Sequence, residues 1–114
     1  MAARISPYRR FWPTYVGEHS KALTRRLHFL GTLGALALIA LALGPLPGWT
    51  VALAPVVAYG MAWLAHGLVE KNRPATFRQP FFSLIGDFHM CALMLRGRMD
   101  AEAARLIGRA REAA

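Results

Sequence analysis

No aspartate, glutamate, lysine or arginine occurs from Leu27 to Val69, a stretch of 43 residues in a chain that carries 20 such residues elsewhere. A helix that crosses a membrane needs about 20 mainly apolar residues, so this stretch is long enough for two such helices. The sequence GPLPG at residues 44–48 would separate them, because its prolines and glycines interrupt a helix. These features predict an all-α membrane protein built on a transmembrane helical hairpin, with spans at residues 27–43 and 49–69.

The distribution of positive charge accounts for the net charge of +8 without a nucleic-acid partner. Lysines and arginines flank the two predicted spans, and the turn between the spans carries none. Because positively charged loops stay on the cytoplasmic side of a membrane, this pattern predicts an integral membrane protein with both termini in the cytoplasm. At 114 residues the chain is expected to form one membrane domain, residues 1–114, with the lipid bilayer as a partner and no nucleic acid.

Short helices are expected beside the hairpin. Residues 80–95 are apolar but number only sixteen and include Asp87 and His89, so we expect an interfacial or re-entrant helix there. Residues 100–112 are predicted to form an amphipathic tail helix, and residues 14–23 a juxtamembrane helix. The hairpin would therefore be accompanied by helices on its cytoplasmic side.

The positions of the histidines in the predicted hairpin suggest a site. His28 and His66 each lie nineteen residues from Pro47, the centre of the turn, so an antiparallel hairpin places both at the same depth. His66 and Glu70 are four residues apart and share one face of a helix. His19 precedes His28 by nine residues and would face the opposite side of a continuous helix. The three histidines converge only if the chain bends between the first two, for which we expect residues near 20–24.

Three neutral imidazoles at one depth suit a divalent transition metal, with iron, zinc and copper all chemically possible. Nearby carboxylates would complete such a site or orient its ligands. Asp87 is a candidate, because a carboxylate in an apolar segment needs a partner such as Arg73 or a metal. The spacing itself is a weak motif, since the sequence contains neither HExxH nor CxxC.

Each candidate residue also has an interpretation that involves no metal. His66 could reach interfacial water, His28 could be an interface residue, and His19 could be solvated. Glu70 could pair with the basic residues that follow it and do nothing more. His89 is assigned to packing or to contact with lipid headgroups. On the residues alone, a metal site and a set of interfacial side chains both remain open.

Two stretches carry a resemblance to a known family, EHSKALTRRLHFLGT at residues 18–32 and YGMAWLAHGLVEKNRPATFRQPFFSLIGDFHM at residues 59–90. From Tyr15 to Arg98 the chain resembles the small membrane family that includes the fungal 2-hydroxy fatty acid dioxygenase and many short bacterial members. The resemblance implies an iron(II)-dependent enzyme that removes one carbon from a 2-hydroxy fatty acid with molecular oxygen, as in fatty acid α-oxidation. The bacterial members favour the inner membrane as its location.

The resemblance implies Fe²⁺ as the cofactor and three histidine ligands, His19, His28 and His66. Three ligands on an octahedral ion leave three positions open, enough for a hydroxy acid that chelates through carboxylate and hydroxyl and for oxygen. We assign catalytic roles to a second set of residues, Glu70, Arg73 and Asp87. The substrate carboxylate would be held at the interface by Arg73, Arg25 or Lys71.

Other functions are compatible with the same residues. A zinc-dependent membrane lipid hydrolase would use the three histidines with Glu70 as general base. A non-enzymatic lipid-binding or scaffold protein would use its basic flanks to hold anionic headgroups. The loop NRPATF at residues 72–77 is interpreted as a structural lid or as a catalytic loop, and Gly31 with Gly34 makes a homo-oligomer conceivable.

Overall fold

The computed structural model describes residues 7–73 and 78–113. In these ranges the chain forms five α-helices, namely α1 (Pro7–Gly17), α2 (Ala22–Ala42), α3 (Leu53–Leu64), α4 (Pro80–Leu95) and α5 (Met99–Ala113). A 3₁₀ turn, Gly48–Ala52, precedes α3, and a π-helical turn, Ala65–Glu70, continues it. The all-α prediction is therefore confirmed. Two helices, Ala22–Ala42 and Gly48–Glu70, are long and apolar enough to cross a membrane.

The hairpin is formed by α2 and α3, which pack closely at glycine positions. A Cβ atom added at Gly31 would lie 2.8 Å from Cβ of Met61 and 3.3 Å from the carbonyl oxygen of Ala58, and one at Gly34 would lie 3.1 Å from Val57 Cγ1. From the first contact to the second, the residue numbers rise along α2 and fall along α3, so the two helices are antiparallel. The face that carries Gly31 and Gly34 therefore packs within the hairpin itself, and the self-association suggested for it stays a prediction.

Helix α2 begins at Ala22, five residues before the predicted start of the first span at residue 27, and the position of the span itself stays a prediction. The charged residues before Leu27 had suggested a boundary. Thr24 and Arg25 are instead buried in the protein, so the first turns of α2 belong to the packed interior.

We expect the close contact at Gly31 to limit which residues this position accepts. Gly31→Ala should be less stable to thermal unfolding in detergent than Gly60→Ala by about 1–3 kcal/mol, the usual cost of overpacking. Both changes add the same helix propensity, but a Cβ at Gly60 meets no atom within 4 Å. Equal stability of the two variants would contradict the packing described for the hairpin.

An aromatic cluster joins α1 to α4 and α5. Its buried members are Phe11, Trp12, Tyr15, Val16, Met90, Met99 and Ala103. The prediction of a helix at residues 14–23 is wrong, since α1 spans Pro7–Gly17 and contains Pro13. Proline inside a helix removes one backbone hydrogen bond, and the burial of this aromatic face outweighs that cost.

The remaining helices agree with the sequence predictions in extent. Helix α4 has the predicted bounds 80–95, and α5 covers Met99–Ala113 where residues 100–112 were expected. Helix α4 packs against α1 and α2. At the crossing with α1, a Cβ atom on Gly86 would lie 3.1 Å from the ring of Tyr15. The next residue, Asp87, is thereby brought beside Tyr15 and the hairpin.

Candidate metal centre

Three histidines converge in the interior of the protein. His19, His28 and His66 are 1%, 5% and 1% exposed, and each offers a ring nitrogen within 4.8 Å of the others. His28 lies on α2 and His66 on the π-helical turn. His19 lies in the break between α1 and α2, which occupies residues 18–21. The predicted convergence is confirmed, and the bend lies slightly before the predicted residues 20–24.

The tautomer of His19 is set by the end of α1. Its Nδ1 lies 2.6 Å from the carbonyl oxygen of Tyr15, which can only accept a hydrogen bond. Nδ1 therefore carries the proton, and Nε2 presents a lone pair. Burial and the neighbouring imidazoles hold the pKa of His19 well below its ordinary value, so the ring stays in the neutral form that binds metals.

The tautomer of His66 is set by Asn72. The Nδ2 group of Asn72 donates a hydrogen bond of 3.0 Å to the carbonyl oxygen of Glu18, which fixes which end of the amide is the donor. The other end, Oδ1, lies 2.6 Å from Nδ1 of His66 and accepts its proton. In the neutral ring, Nε2 of His66 is therefore also left with a lone pair.

The two lone pairs face each other. Nε2 of His66 lies 3.0 Å from Nε2 of His19, and when both rings are neutral no proton is available for a hydrogen bond between them. Two nitrogens about 2.1 Å from one ion and 90° apart are separated by about 3.0 Å. The spacing fits adjacent ligands of one cation, so the donor set and its protonation match a transition metal.

Asp87 adjoins this cluster from α4. Its Oδ1 accepts a hydrogen bond of 2.6 Å from the hydroxyl of Tyr15 and lies 3.3 Å from Nε2 of His28. Burial raises the pKa of the Asp87 carboxyl to about 7. Its partners are thus Tyr15 and His28, and the suggested pairing with Arg73 is not found, since the structure places Arg73 at the exposed end of the described stretch.

An apolar groove leads away from His28 and Asp87. It lies between α2, α3 and α4 and encloses about 250 Å³. Besides those two residues it is lined by Thr32, Ala35, Leu36, Ile39, Ala54, Pro55, Ala58, Tyr59, Leu84 and Phe88. The groove therefore has one end beside the histidine cluster and otherwise mainly hydrocarbon walls.

Comparison with known protein families identifies the family of this chain. The family described as 2-hydroxy-palmitic acid dioxygenase Mpo1-like matches residues 5–99. The chain belongs to the Mpo1-like family. The match covers the histidines, Asn72, Asp87 and helices α1 to α4, and the family name suggests an enzyme. No curated protein and no solved structure matches the chain.

In this Mpo1-like chain Glu70 links the two helices of the hairpin at the end that lies nearest the histidine cluster. It accepts hydrogen bonds of 2.7 Å from the hydroxyl of Ser20, 2.6 Å from that of Thr24 and 2.7 Å from the backbone N–H of Lys21. The first free N–H groups of a helix need such acceptors, so Glu70 fastens the π-helical turn to the start of α2. A catalytic role for Glu70 stays a prediction.

Three further sequence interpretations concern His89, the loop NRPATF and Arg73. His89 stacks on Trp12, with ring centroids 3.9 Å apart, and its Nδ1 lies 2.9 Å from the hydroxyl of Tyr8, which confirms its assignment to packing. In the loop NRPATF, residues 74–77 lie outside the described part of the chain, and its role as a structural lid or a catalytic loop stays a prediction. The catalytic role assigned to Arg73 also stays a prediction.

Arg25 has a role beside the histidine cluster that the sequence did not predict. Its buried guanidinium donates hydrogen bonds of 2.8 Å to the carbonyl oxygen of His19 and 2.9 Å to that of Ser20. It also donates a bond of 3.1 Å to Asp100 on α5. The sequence suggested this arginine as a holder of the substrate carboxylate, whereas its contacts fix the turn that carries His19.

We expect Arg25→Lys to weaken metal binding by about 10-fold, the lower end for residues that orient metal ligands. A lysine cannot reproduce the planar fork that reaches two carbonyl groups and a carboxylate. The dissociation constant for Co²⁺, followed by its visible absorption, measures the effect. Arg26→Lys is the matched control, because Arg26 is the exposed neighbour. Equal affinities for the two variants would show that Arg25 does not position His19.

Proposed function

We propose that the chain is an iron(II)-dependent dioxygenase of the membrane interface that removes one carbon from 2-hydroxy fatty acids. The observation that carries this proposal is the pair of imidazole lone pairs 3.0 Å apart, in a chain of the Mpo1-like family. A neutral histidine cluster suits iron, zinc and copper alike, and the description of the family as a dioxygenase is what favours iron. The proposed ligands are His19, His28 and His66.

Bound ferrous iron would supply open positions for a chelating 2-hydroxy acid and for oxygen, together with the electrons that make oxygen reactive. The overall reaction converts a 2-hydroxy acid and O₂ to the acid one carbon shorter, CO₂ and water. Atoms and electrons balance without another reductant, because the bond between the first two carbons is cleaved and both resulting carbons are oxidised. The protein then has to supply binding, orientation and proton handling.

The chain's own residues are suited to those tasks. Tyr15 and Asn72 hold the two ligating tautomers, and Asp87 contacts the third ligand, His28. The Asp87 carboxyl accepts a hydrogen bond from Tyr15 and lies against His28, and a carboxyl group placed beside a reacting centre can accept or return a proton. We propose Asp87 as the group that handles the proton of the substrate hydroxyl, with Tyr15 holding its carboxyl in place.

A membrane location follows from the same proposal. The helices Ala22–Ala42 and Gly48–Glu70 are long and apolar enough to span a bilayer, and arginines and lysines flank them. We propose that they do so in the bacterial inner membrane with both termini in the cytoplasm. The histidine cluster would then lie near the cytoplasmic interface, at the depth of a fatty acid headgroup.

Oxygen uptake tests the proposal. Protein purified anaerobically in detergent and loaded with Fe²⁺ should consume one O₂ and release one CO₂ for each 2-hydroxypalmitate converted to pentadecanoate. Palmitate, which lacks the chelating hydroxyl, is the control substrate and should give neither. Zinc-loaded protein should be inactive.

Hydrolysis of an acyl ester by the zinc form, without oxygen uptake by the iron form, would instead support a membrane hydrolase. Failure to bind any divalent metal would contradict both the dioxygenase and the hydrolase proposals.

A further inference from the structure

The apolar groove beside His28 has a lining suited to a hydrocarbon chain. The titratable residues that line it are His28, which belongs to the histidine cluster, Asp87 beside that cluster, and Tyr59, and no lysine or arginine of the described residues lines it. The walls beyond are aliphatic or aromatic, apart from Thr32 and the hydroxyl of Tyr59. A ligand that fits must therefore have one polar end and a long apolar remainder.

We propose that this groove is the acyl-chain site and that Ala35 determines which chain lengths are used. The inference rests on the proposed function, which places the carboxylate and hydroxyl of the substrate at the histidine cluster. Since no described lysine or arginine lines the groove, the headgroup would be held by the metal centre itself. The predicted carboxylate contact with Arg25 is then unnecessary, and that guanidinium is engaged elsewhere.

The length of the groove sets a scale in carbon atoms. Along α2 it runs from His28 to Ile39, eleven residues or about 16 Å at 1.5 Å per residue. An extended chain advances about 1.25 Å per carbon, from a bond of about 1.5 Å and an angle of about 111°. The groove therefore has room along its length for about 13 carbons, and a longer chain leaves it beyond Ile39. A longer acid would extend from it into lipid.

Ala35 lies part-way along this path. It is seven residues beyond His28, or about 10 Å, which corresponds to about eight carbons. Its small, half-buried side chain leaves the groove open at this level. A phenylalanine there would block the passage while leaving the polar end unchanged. Short acids would then still fit, and long acids would not.

The turnover test compares Ala35→Phe with Ala37→Phe. Ala37 is on the same helix two residues further on, is exposed, and does not line the groove. We expect Ala35→Phe to lower kcat/KM for 2-hydroxypalmitate by at least about 10-fold, and that for 2-hydroxyhexanoate by less than about 2-fold. Ala37→Phe should change neither by more than about 2-fold. An equal loss on both substrates, or no loss on the long one, would overturn the proposal.

A second measurement uses the wild-type chain and needs neither turnover nor a folded variant. A 2-hydroxy fatty acid with a photoreactive diazirine at carbon 10 should label residues of the groove, Leu36, Ile39 and Leu84. Excess 2-hydroxypalmitate should prevent this labelling. Labelling of exposed residues outside the groove, such as Leu33 and Val56, that excess acid leaves unchanged would contradict the proposal.

The two measurements separate the failure of this inference from failure of the proposed function. Groove labelling by the photoreactive acid without oxygen consumption would retain the acyl-chain site and reject the dioxygenase. Oxygen-dependent turnover without the chain-length effect of Ala35→Phe, and with labelling elsewhere, would retain the dioxygenase and reject the site. Turnover with both expected results would support the two together.

Discussion

His19→Ala and His66→Ala should each lower the affinity for divalent metal by more than about 100-fold. Changes to residues that only orient metal ligands cost up to about 100-fold, and we expect the loss of a ligand to cost more. Each variant removes one of the two nitrogens whose lone pairs face each other at 3.0 Å. Oxygen-dependent turnover of 2-hydroxypalmitate should fall with the bound metal, by about 10³-fold or more, as for other groups without which the reactive centre does not assemble. Metal analysis after anaerobic gel filtration measures the first effect and oxygen uptake the second.

His89→Ala is the control for these variants. His89 is a partly buried histidine outside the cluster. It stacks on Trp12 and contacts Tyr8. We expect its metal content to equal that of the wild type, with some loss of thermal stability. Metal retained by His66→Ala at wild-type affinity would contradict the site, as would metal lost from His89→Ala while the fold persists.

Asn72→Leu should weaken metal binding by 10- to 100-fold, about the cost measured for other outer partners of metal ligands. The change keeps the approximate size of the side chain but removes both hydrogen bonds, the one accepted from His66 and the one donated to Glu18. Without the acceptor, His66 is free to place its proton on Nε2, the nitrogen needed for the ion. Titration with Co²⁺ under anaerobic conditions measures the loss.

Asn72→Asp distinguishes orientation of the ligand from loss of packing. A carboxylate still accepts a hydrogen bond from Nδ1 of His66 but cannot donate one to the carbonyl of Glu18. We expect this variant to lose less affinity than Asn72→Leu. Leu68→Ala, at an exposed position on the same π-helical turn, should bind as the wild type does. An Asn72→Leu variant with wild-type affinity would show that His66 needs no partner.

The convergence of the histidines was predictable because it follows from symmetry about one turn. His28 and His66 are equidistant from Pro47, so any antiparallel hairpin brings them to one level, and only the position of His19 required a break in the helix. The location of that break was less predictable. Helix α1 runs through Pro13 because its aromatic residues are buried against α4 and α5, a tertiary effect that local sequence does not reveal.

The supporting residues were not predictable from spacing. Asn72 reaches His66 because the chain widens into a π-helical turn and then reverses at Lys71, which has a left-handed φ of 60°. π-Turns of this kind often occur at functional sites, but their sequences carry no clear periodic signal. The sequence indicates that Arg25 is a flanking charge and a candidate holder of the substrate carboxylate, but it does not show that two backbone carbonyls and Asp100 surround this residue. A buried role became visible only with the tertiary contacts.

The most direct test of the central claim is the iron K-edge X-ray absorption spectrum of wild-type protein loaded anaerobically with Fe²⁺. We predict scattering from three imidazole rings on one ion, with nitrogen distances near 2.1 Å, about those of histidine ligands on zinc. His28→Ala should reduce the imidazole count to two. A spectrum that fits oxygen ligands alone, with no imidazole scattering, would contradict the metal centre formed by His19, His28 and His66.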